Sequence, residues 1–322
     1  MILGLSSLSS IFVFLSLPSF TSWIQTYNRS YSSLSEYNYR ENIYLSNLIK
    51  ISKHNSNNNT WLMDVNNFTD LTPQEFKQQY SGCFYSNHNV DTLDGLSEGN
   101  YSALPKYINW TEVGAVTPVK NQGQCGSCWA FSTTGSIESA SFLANRKFLP
   151  LSEQQLVDCS SKKSDQGCNG GHMDYGFQYV IDNKGITSED NYPYTASNNN
   201  CNTSEAKNIV ASISRYINVQ TNSETALMTA IFQQPVSVAI EADQDIFQFY
   251  KSGVMTSKCG TNLDHGVLAV GYGTLNNEDY WIVKNSWGTE WGMNGYILLG
   301  RGVKYGSEGQ CGIQMNPSYP VI

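Results

Sequence analysis

The cysteines limit what this chain can fold into more than any other feature. Eight occur, at positions 83, 125, 128, 159, 168, 201, 259 and 311. Six sequons, at Asn28, Asn58, Asn67, Asn100, Asn109 and Asn202, each have Ser or Thr two residues on and point to the secretory pathway. Thiols in that compartment pair. Only Cys83 precedes residue 100, so seven cysteines share the later part, and an odd set leaves one over. The expected body is therefore stapled by bridges, with one thiol held out of them for chemistry.

The first residues, MILGLSSLSSIFVFLSLPSF, are apolar and Ser-rich, densest from Ile11 to Leu17, with Pro18 behind them. They read as a secretory signal over 1–18, although no Lys or Arg occurs before Arg29. The alternative is a buried N-terminal helix. The apolar run is short for a bilayer, and no later segment approaches transmembrane length. Net charge is −8 and no Lys/Arg cluster occurs, which argues against nucleic-acid binding.

Residues 31 to 55 contain no Gly or Pro, and Tyr37, Tyr44, Leu48 and Ile51 recur at helical spacing, so one amphipathic helix is predicted there. WLMDVNNFTD, 61 to 70, reads as a short strand or turn, and 81 to 103 as a polar linker. From Leu104 glycines become frequent, cysteines cluster and strand-like runs appear, placing a boundary near 103. A helix is predicted from Ser127 or Cys128, with Ser127 as its N-cap. SEQQLVDC, HMDYGFQYVIDN and SETALMTAIFQQ read as further helices. VSVAIEA, GVLAVGYG, YWIVKNSW and GYILLG read as strands. Helices first and strands later predict a two-part α+β body.

NQGQCGSCWAFS, 121 to 132, sets two cysteines three apart. A redox pair asks for a thioredoxin-like βαβ unit, and none precedes residue 125. A zinc site asks for a second tight pair, but Cys159 and Cys168 are nine positions apart and the nearest His is His172. The remaining reading is one structural thiol beside one reactive thiol. Cys128 stands at the predicted helix start, where the helix dipole favours a thiolate, and such a nucleophile asks for a base and a group to orient it.

The segment QGQCGSCWAFS resembles the active-site stretch of papain-like cysteine proteases of the cathepsin L type, meeting the family signature C-G-[S/A]-C-[W/Y]. GCNGGHMDYGFQYV, LDHGVLAVGYG and YWIVKNSWGTEWGMNGY follow in the family's order. The likeness runs from Leu104 to Ile322. The family's inhibitory prosegment is matched separately by Glu36, Arg40, Tyr44, Asn47, Ile51 and Asn55, then by Asn66, Phe68 and Asp70. Asp64 stands where the family usually has Gly, which bears on local turn geometry or on the pH of prosegment release.

The resemblance implies a signal peptide at 1–18, an inhibitory propeptide at 19–103 and a peptidase domain at 104–322. The implied fold is papain-like: a helical left domain, a β-barrel-like right domain and a cleft between. Cys128 would be the nucleophile, His265 the base and acid, and Asn285 the group orienting the imidazole under a Trp287 cover. Gln122 and the Cys128 N–H would form the oxyanion hole. The family pattern pairs Cys125 with Cys168, Cys159 with Cys201 and Cys259 with Cys311, leaving Cys83 unmatched.

Met173, Ala239, Leu263, Gly266 and, at the far end, Asn316 would line the second-subsite pocket. Gly170, Gly171 and Asp264 would offer backbone to the substrate chain. That wall implies a bulky apolar residue such as Leu before the scissile-site residue, modified by the Asn316 amide. Glu138 and Glu153 are read as buried structural acids rather than a glycosidase pair, and His172 as cleft wall or surface. No cysteine-bearing insertion separates Cys128 from GCNGG, which favours endopeptidase action.

No metal or cofactor is expected. Expected partners are protein and peptide substrates, the chain's own propeptide and cystatin-type inhibitors, with a monomeric state and no membrane association. The expected location is a lysosome, a lysosome-like vacuole or the extracellular space. The alternatives are a relative without catalytic activity that serves as a binding protein, and a released prosegment acting as an inhibitor.

Overall fold

The computed structural model describes residues 17–82, 104–160 and 165–322. The signal stretch up to residue 16, Cys83, Asn100 and most of the predicted 81–103 linker lie outside these. In chain order the helices are α1 Phe20–Thr26, α2 Leu34–Asn55, α3 Pro73–Tyr80, α4 Cys128–Asn145, α5 Glu153–Cys159, α6 Met173–Asp182, α7 Glu224–Gln233 and α8 Asp245–Gln248. The strands are β1 Trp61–Met63, β2 Ile108–Asn109, β3 Arg215–Asn218, β4 Val236–Ile240, β5 Tyr250–Met255, β6 His265–Leu275, β7 Glu278–Lys284, β8 Tyr296–Gly300 and β9 Ser318–Val321.

The long prosegment helix α2 forms because its sequence lacks breakers and its first turn is capped by the Ser33 hydroxyl, which accepts from the Glu36 N–H. Its polar side chains reach out of the helix to fix the chain that follows. Asn47 Nδ2 donates to the carbonyls of Thr69 and Leu71, both at 3.0 Å. Asn55 exchanges two hydrogen bonds with the Met63 backbone, at 2.7 and 2.9 Å. Arg40 bonds the Asp70 carbonyl at 3.1 Å and pairs with Glu75 at 2.9 Å. Tyr44 and Leu48, by contrast, enter a small core with Phe20 and Trp23 of α1.

One sheet path runs β1-β5-β8-β7-β6-β4-β9-β3, with β2 paired to β6. The pairings are antiparallel except β5 with β8, which is parallel. The prosegment strand β1 thus extends the sheet at β5, Trp61 facing Gly253. Trp61, Met63, Phe68, Leu71, Phe76 and Tyr80 are buried in the same apolar core as the strands they cover. A second core gathers α4, α5 and α6, through Trp129, Ile137, Leu156, Val157, Phe177 and Val180.

Close approach of the two layers depends on glycine. A Cβ on Gly266 would come within 3.2 Å of the Trp129 Cα, and one on Gly135 within 3.1 Å of Leu268. β6 therefore lies directly against the first turns of α4. That contact sets His265 beside Cys128.

Candidate active site

Cys128 is the first residue of α4 and is fully buried. The loop before it is pinned by the Cys125–Cys168 disulfide and by the Gly126 N–H, which donates to the Cys168 carbonyl at 2.8 Å. Further bridges join Cys159 to Cys201 and Cys259 to Cys311. Cys128 takes part in none of the three.

Ser127 occupies the N-cap position, but its hydroxyl makes no capping bond. It lies instead 2.5 Å from the Tyr194 hydroxyl, which in turn donates to the Gln122 carbonyl at 2.8 Å. The capping role expected from sequence is thus replaced by a tether between two loops. The N–H groups of the first α4 turn are left without a side-chain cap beside the sulfur, which suits an anion there.

His265 opens β6 and is fully buried. Its Nε2 lies 2.7 Å from Asn285 Oδ1. That amide oxygen also accepts from the Ser286 N–H at 2.7 Å, which fixes its orientation. The Cys128 side chain is the other polar group that interacts with the imidazole. Burial opposes charging the ring, yet the nearby Cys128 sulfur, Asn285 and Asp264 outweigh it and raise its pKa above the ordinary histidine value. Trp287 stacks on the imidazole with centroids 4.7 Å apart and is 1% exposed.

Gln122 is held on three sides. Its Nε2 donates to the Cys125 carbonyl at 3.0 Å, its Oε1 accepts from the Ser286 hydroxyl at 2.6 Å, and its N–H donates to the Ser286 carbonyl at 2.8 Å. One amide hydrogen of Gln122 remains for a ligand. Ser286 therefore orients both Gln122 and Asn285, and sequence reasoning missed it. Its position inside the KNSWG motif was the only available signal.

Met173, Ala239 and Leu263 pack in one cluster, and a Cβ on Gly266 would reach the Met173 sulfur at 3.0 Å. Asn316 is half-buried, two residues before Ser318, which pairs with Ser237 on the strand that carries Ala239. Gly170 closes the Gly167–Asn169 turn with φ +120, a conformation that favours glycine. His172 precedes α6 and packs edge-on against Tyr175.

The prosegment lies in this groove. The Gly82 N–H donates to the Asp264 carbonyl at 3.0 Å, and the Gly171 N–H donates to the Gly82 carbonyl at 3.1 Å. A Cβ on Gly82 would fall 2.4 Å from the Gly126 Cα, so only glycine lies this close to the groove floor. Gly82→Ala is expected to lift the segment off its backbone partners and speed self-processing severalfold. Unchanged processing kinetics on gels would refute that reading.

Behind the site, Lys120 bonds Glu138 at 2.8 Å, Glu153 at 2.6 Å and the Leu151 carbonyl at 3.0 Å. Lys284 joins through Thr117 at 3.0 Å. Desolvation works against both buried acids, but Lys120 and Lys284 still hold Glu138 below its ordinary value, while burial and the neighbouring Glu138 charge push Glu153 up. Burial likewise lowers Lys284, to about 8. Both acids are buried, as the sequence reading of structural acids expected; Glu138 has partners on both oxygens, whereas Glu153 Oε2 has none among the described residues. Asp64, the departure from the prosegment pattern, accepts from the Val65 N–H at 2.8 Å and stands 3.9 Å from Lys251. Among the described residues no group of His, Cys, Asp or Glu is placed to hold a metal ion.

A scan against family profiles matches residues 104–321 to the papain family cysteine protease domain. The chain belongs to the papain family of cysteine proteases. Residues 20–76 match the cathepsin propeptide inhibitor domain. Among curated proteins, a KDEL-tailed cysteine endopeptidase of Arabidopsis thaliana is 44% identical over 90% of this chain and 81% of its own length. A senescence-specific cysteine protease of Oryza sativa is 44% identical over 92% and 88%.

Among solved structures, a recombinant stem bromelain precursor superposes with a TM-score of 0.87 at 40% identity, covering 94% of this chain and 97% of that one. The digestive procathepsin L 3 of Tenebrio molitor gives 0.84 at 37%, with 94% and 97% covered. The papain-family chain is thus an α+β cysteine endopeptidase made as a zymogen, acting on proteins and carrying its own inhibitor domain. Its family and bridges place it in the secretory pathway.

Proposed function

We propose that Cys128 and His265 cleave internal peptide bonds as a thiolate–imidazolium pair. The carrying observation is His265 set between the Cys128 side chain and Asn285 under the Trp287 ring. The thiolate attacks the scissile carbonyl carbon, and the oxyanion is met by the Cys128 N–H and the remaining Gln122 amide hydrogen. Collapse expels the amine, which takes the proton from His265 and leaves a thioester on Cys128. Water attacks that thioester, giving its proton back to His265, and the acid leaves. Asn285 orients the ring without adding a charge.

The pocket at Met173, Ala239, Leu263 and Gly266, with Asn316 toward its far end, accepts Leu-type residues in preference to basic ones. Gly170, Gly171 and Asp264 hold the substrate main chain. The domain limits are 1–18, 19–103 and 104–322, and release occurs at acidic pH. The mature enzyme works as a monomer in a lysosome-like vacuole or outside the cell and is open to cystatin-type inhibitors. Of the glycan candidates, Asn28, Asn58 and Asn202 are exposed, whereas Asn109 donates its amide to Glu112.

The test is alkylation. After acid processing, iodoacetamide is expected to label Cys128 with a rate that persists down to about pH 5, well below an ordinary thiol's titration near 8.5. His265→Ala should restore the ordinary profile. A parent enzyme whose labelling follows a simple thiol titration contradicts the ion pair.

A further inference from the structure

Beneath the groove wall lies a carboxyl that the mechanism above does not use. Asp165 is 2% exposed. Its Oδ1 accepts from the His172 N–H at 2.9 Å, immediately after Gly171. A Cβ on Gly171 would meet Asp165 Oδ1 and the Trp129 ring, each at 2.6 Å. Gly171 is therefore supported from below by a carboxylate oxygen and an indole, while its N–H faces the groove and donates to Gly82.

Two further bonds shape the same turn. The Gln166 N–H donates to the Gly170 carbonyl at 2.7 Å, and Trp129 Nε1 donates to the Gly167 carbonyl at 3.2 Å. Asp165 Oδ2 makes no hydrogen bond of ordinary geometry among the described residues, the Ser160 hydroxyl interacting with the carboxyl only loosely. Leaving a buried oxygen unsatisfied is costly, so a carboxyl at this position needs a reason beyond closing a turn.

We propose that Asp165 is a positioning residue for substrate binding, its buried carboxyl fixing where the Gly171 N–H meets the substrate main chain. This rests on reading the groove occupied by Gly82 as the substrate's path.

The position also gives the contact a pH dependence. Burial, and then the charge of Asp174 on α6, push the Asp165 pKa up to about 7 against the pull of the His172 N–H and Ser160. Asp174 is itself pushed up by burial, and the His172 imidazole packs on Tyr175. No cation faces Asp165 among the described residues. Below about pH 7 the neutral acid supports the turn. Above it a buried anion that faces no counter-charge among the described residues loosens the turn, so substrate affinity falls as pH rises.

The experiment uses the full chain after propeptide removal. It reads kcat and KM on a peptide amide with Leu before the scissile-site residue, together with the Cys128 alkylation rate. Asp165→Ala is expected to raise KM about tenfold, the scale of one main-chain hydrogen bond, with kcat within about twofold and alkylation unchanged. Asp165→Asn keeps the acceptor and removes the titration. Its KM should match the parent near pH 5 and stay flat to about pH 8.5, where the parent KM climbs.

The proposal is overturned by an unchanged KM in Asp165→Ala, or by kcat and alkylation falling in parallel with affinity. It is equally overturned if Asp165→Asn tracks the parent across the pH range. A parent that neither alkylates nor cleaves would instead remove the peptidase reading, and this proposal with it.

Discussion

Replacing Cys128 with Ser is expected to lower kcat/KM on a peptide substrate by about 10⁴-fold or more, the scale seen when a covalent nucleophile is removed. The hydroxyl is nearly isosteric, so the α4 start, the Gln122 tethers and the His265–Asn285 bond at 2.7 Å all remain. What disappears is the anion. A serine hydroxyl holds its proton at the pH where the sulfur has lost it, and the neighbouring Asn285 adds no negative charge to draw that proton away. The variant should also accumulate as uncut zymogen while keeping the parent's thermal midpoint within a degree or two. Retention of more than about a tenth of the parent rate would place the nucleophile elsewhere.

The second large effect is expected in the prosegment. Phe76 is fully buried, with its ring 5.1 Å from Trp287, 5.3 Å from Phe68 and 5.6 Å from Tyr80. Truncating such a side chain costs about 3–5 kcal/mol, and here most of that falls on the interface between the prosegment and the catalytic body. At 1.4 kcal/mol per tenfold, Phe76→Ala should loosen the hold on the groove by about 10²–10³-fold. The measurement is peptidase activity at neutral pH before any cut is visible on a gel. An uncut Phe76→Ala chain as silent as the parent would show that the hold comes from elsewhere. The exposed pair Lys77–Asp243 and the half-exposed pair Lys50–Asp245 at 2.9 Å are the natural next candidates, although surface pairs are worth little.

How far the sequence could be read depended on whether the chemistry was local. Cys128, His265 and Asn285 each stand inside a contiguous motif, so their places were readable before any coordinates. The long prosegment helix was readable as well, because twenty-two residues without a breaker leave a long chain little else to do. Strands β3, β5 and β9 were missed for the opposite reason. They are short, and β5 carries Lys251, Ser252 and Gly253 in its middle, so no clean alternation marks it. Ser127 was misjudged because a hydroxyl at a helix start ordinarily caps, whereas here Tyr194, 67 residues away in sequence, captures it. Ser286, Asp165 and Lys120 escaped notice because their roles exist only once distant segments meet. No spacing rule connects Lys120 to Glu138 and Glu153.

Gly253 shows how deeply a temporary partner is written into a lasting one. It sits at φ +89 on β5, and a Cβ there would fall 2.4 Å from the carbonyl oxygen of Thr60, the residue just before the strand that pairs alongside. Thr60 leaves with the prosegment. A position in the working enzyme is thus constrained by a neighbour destroyed before work begins, and the naked rim it leaves behind is a scar of manufacture. Someone handed only the matured form would find a cramped backbone there with nothing in sight to cramp it.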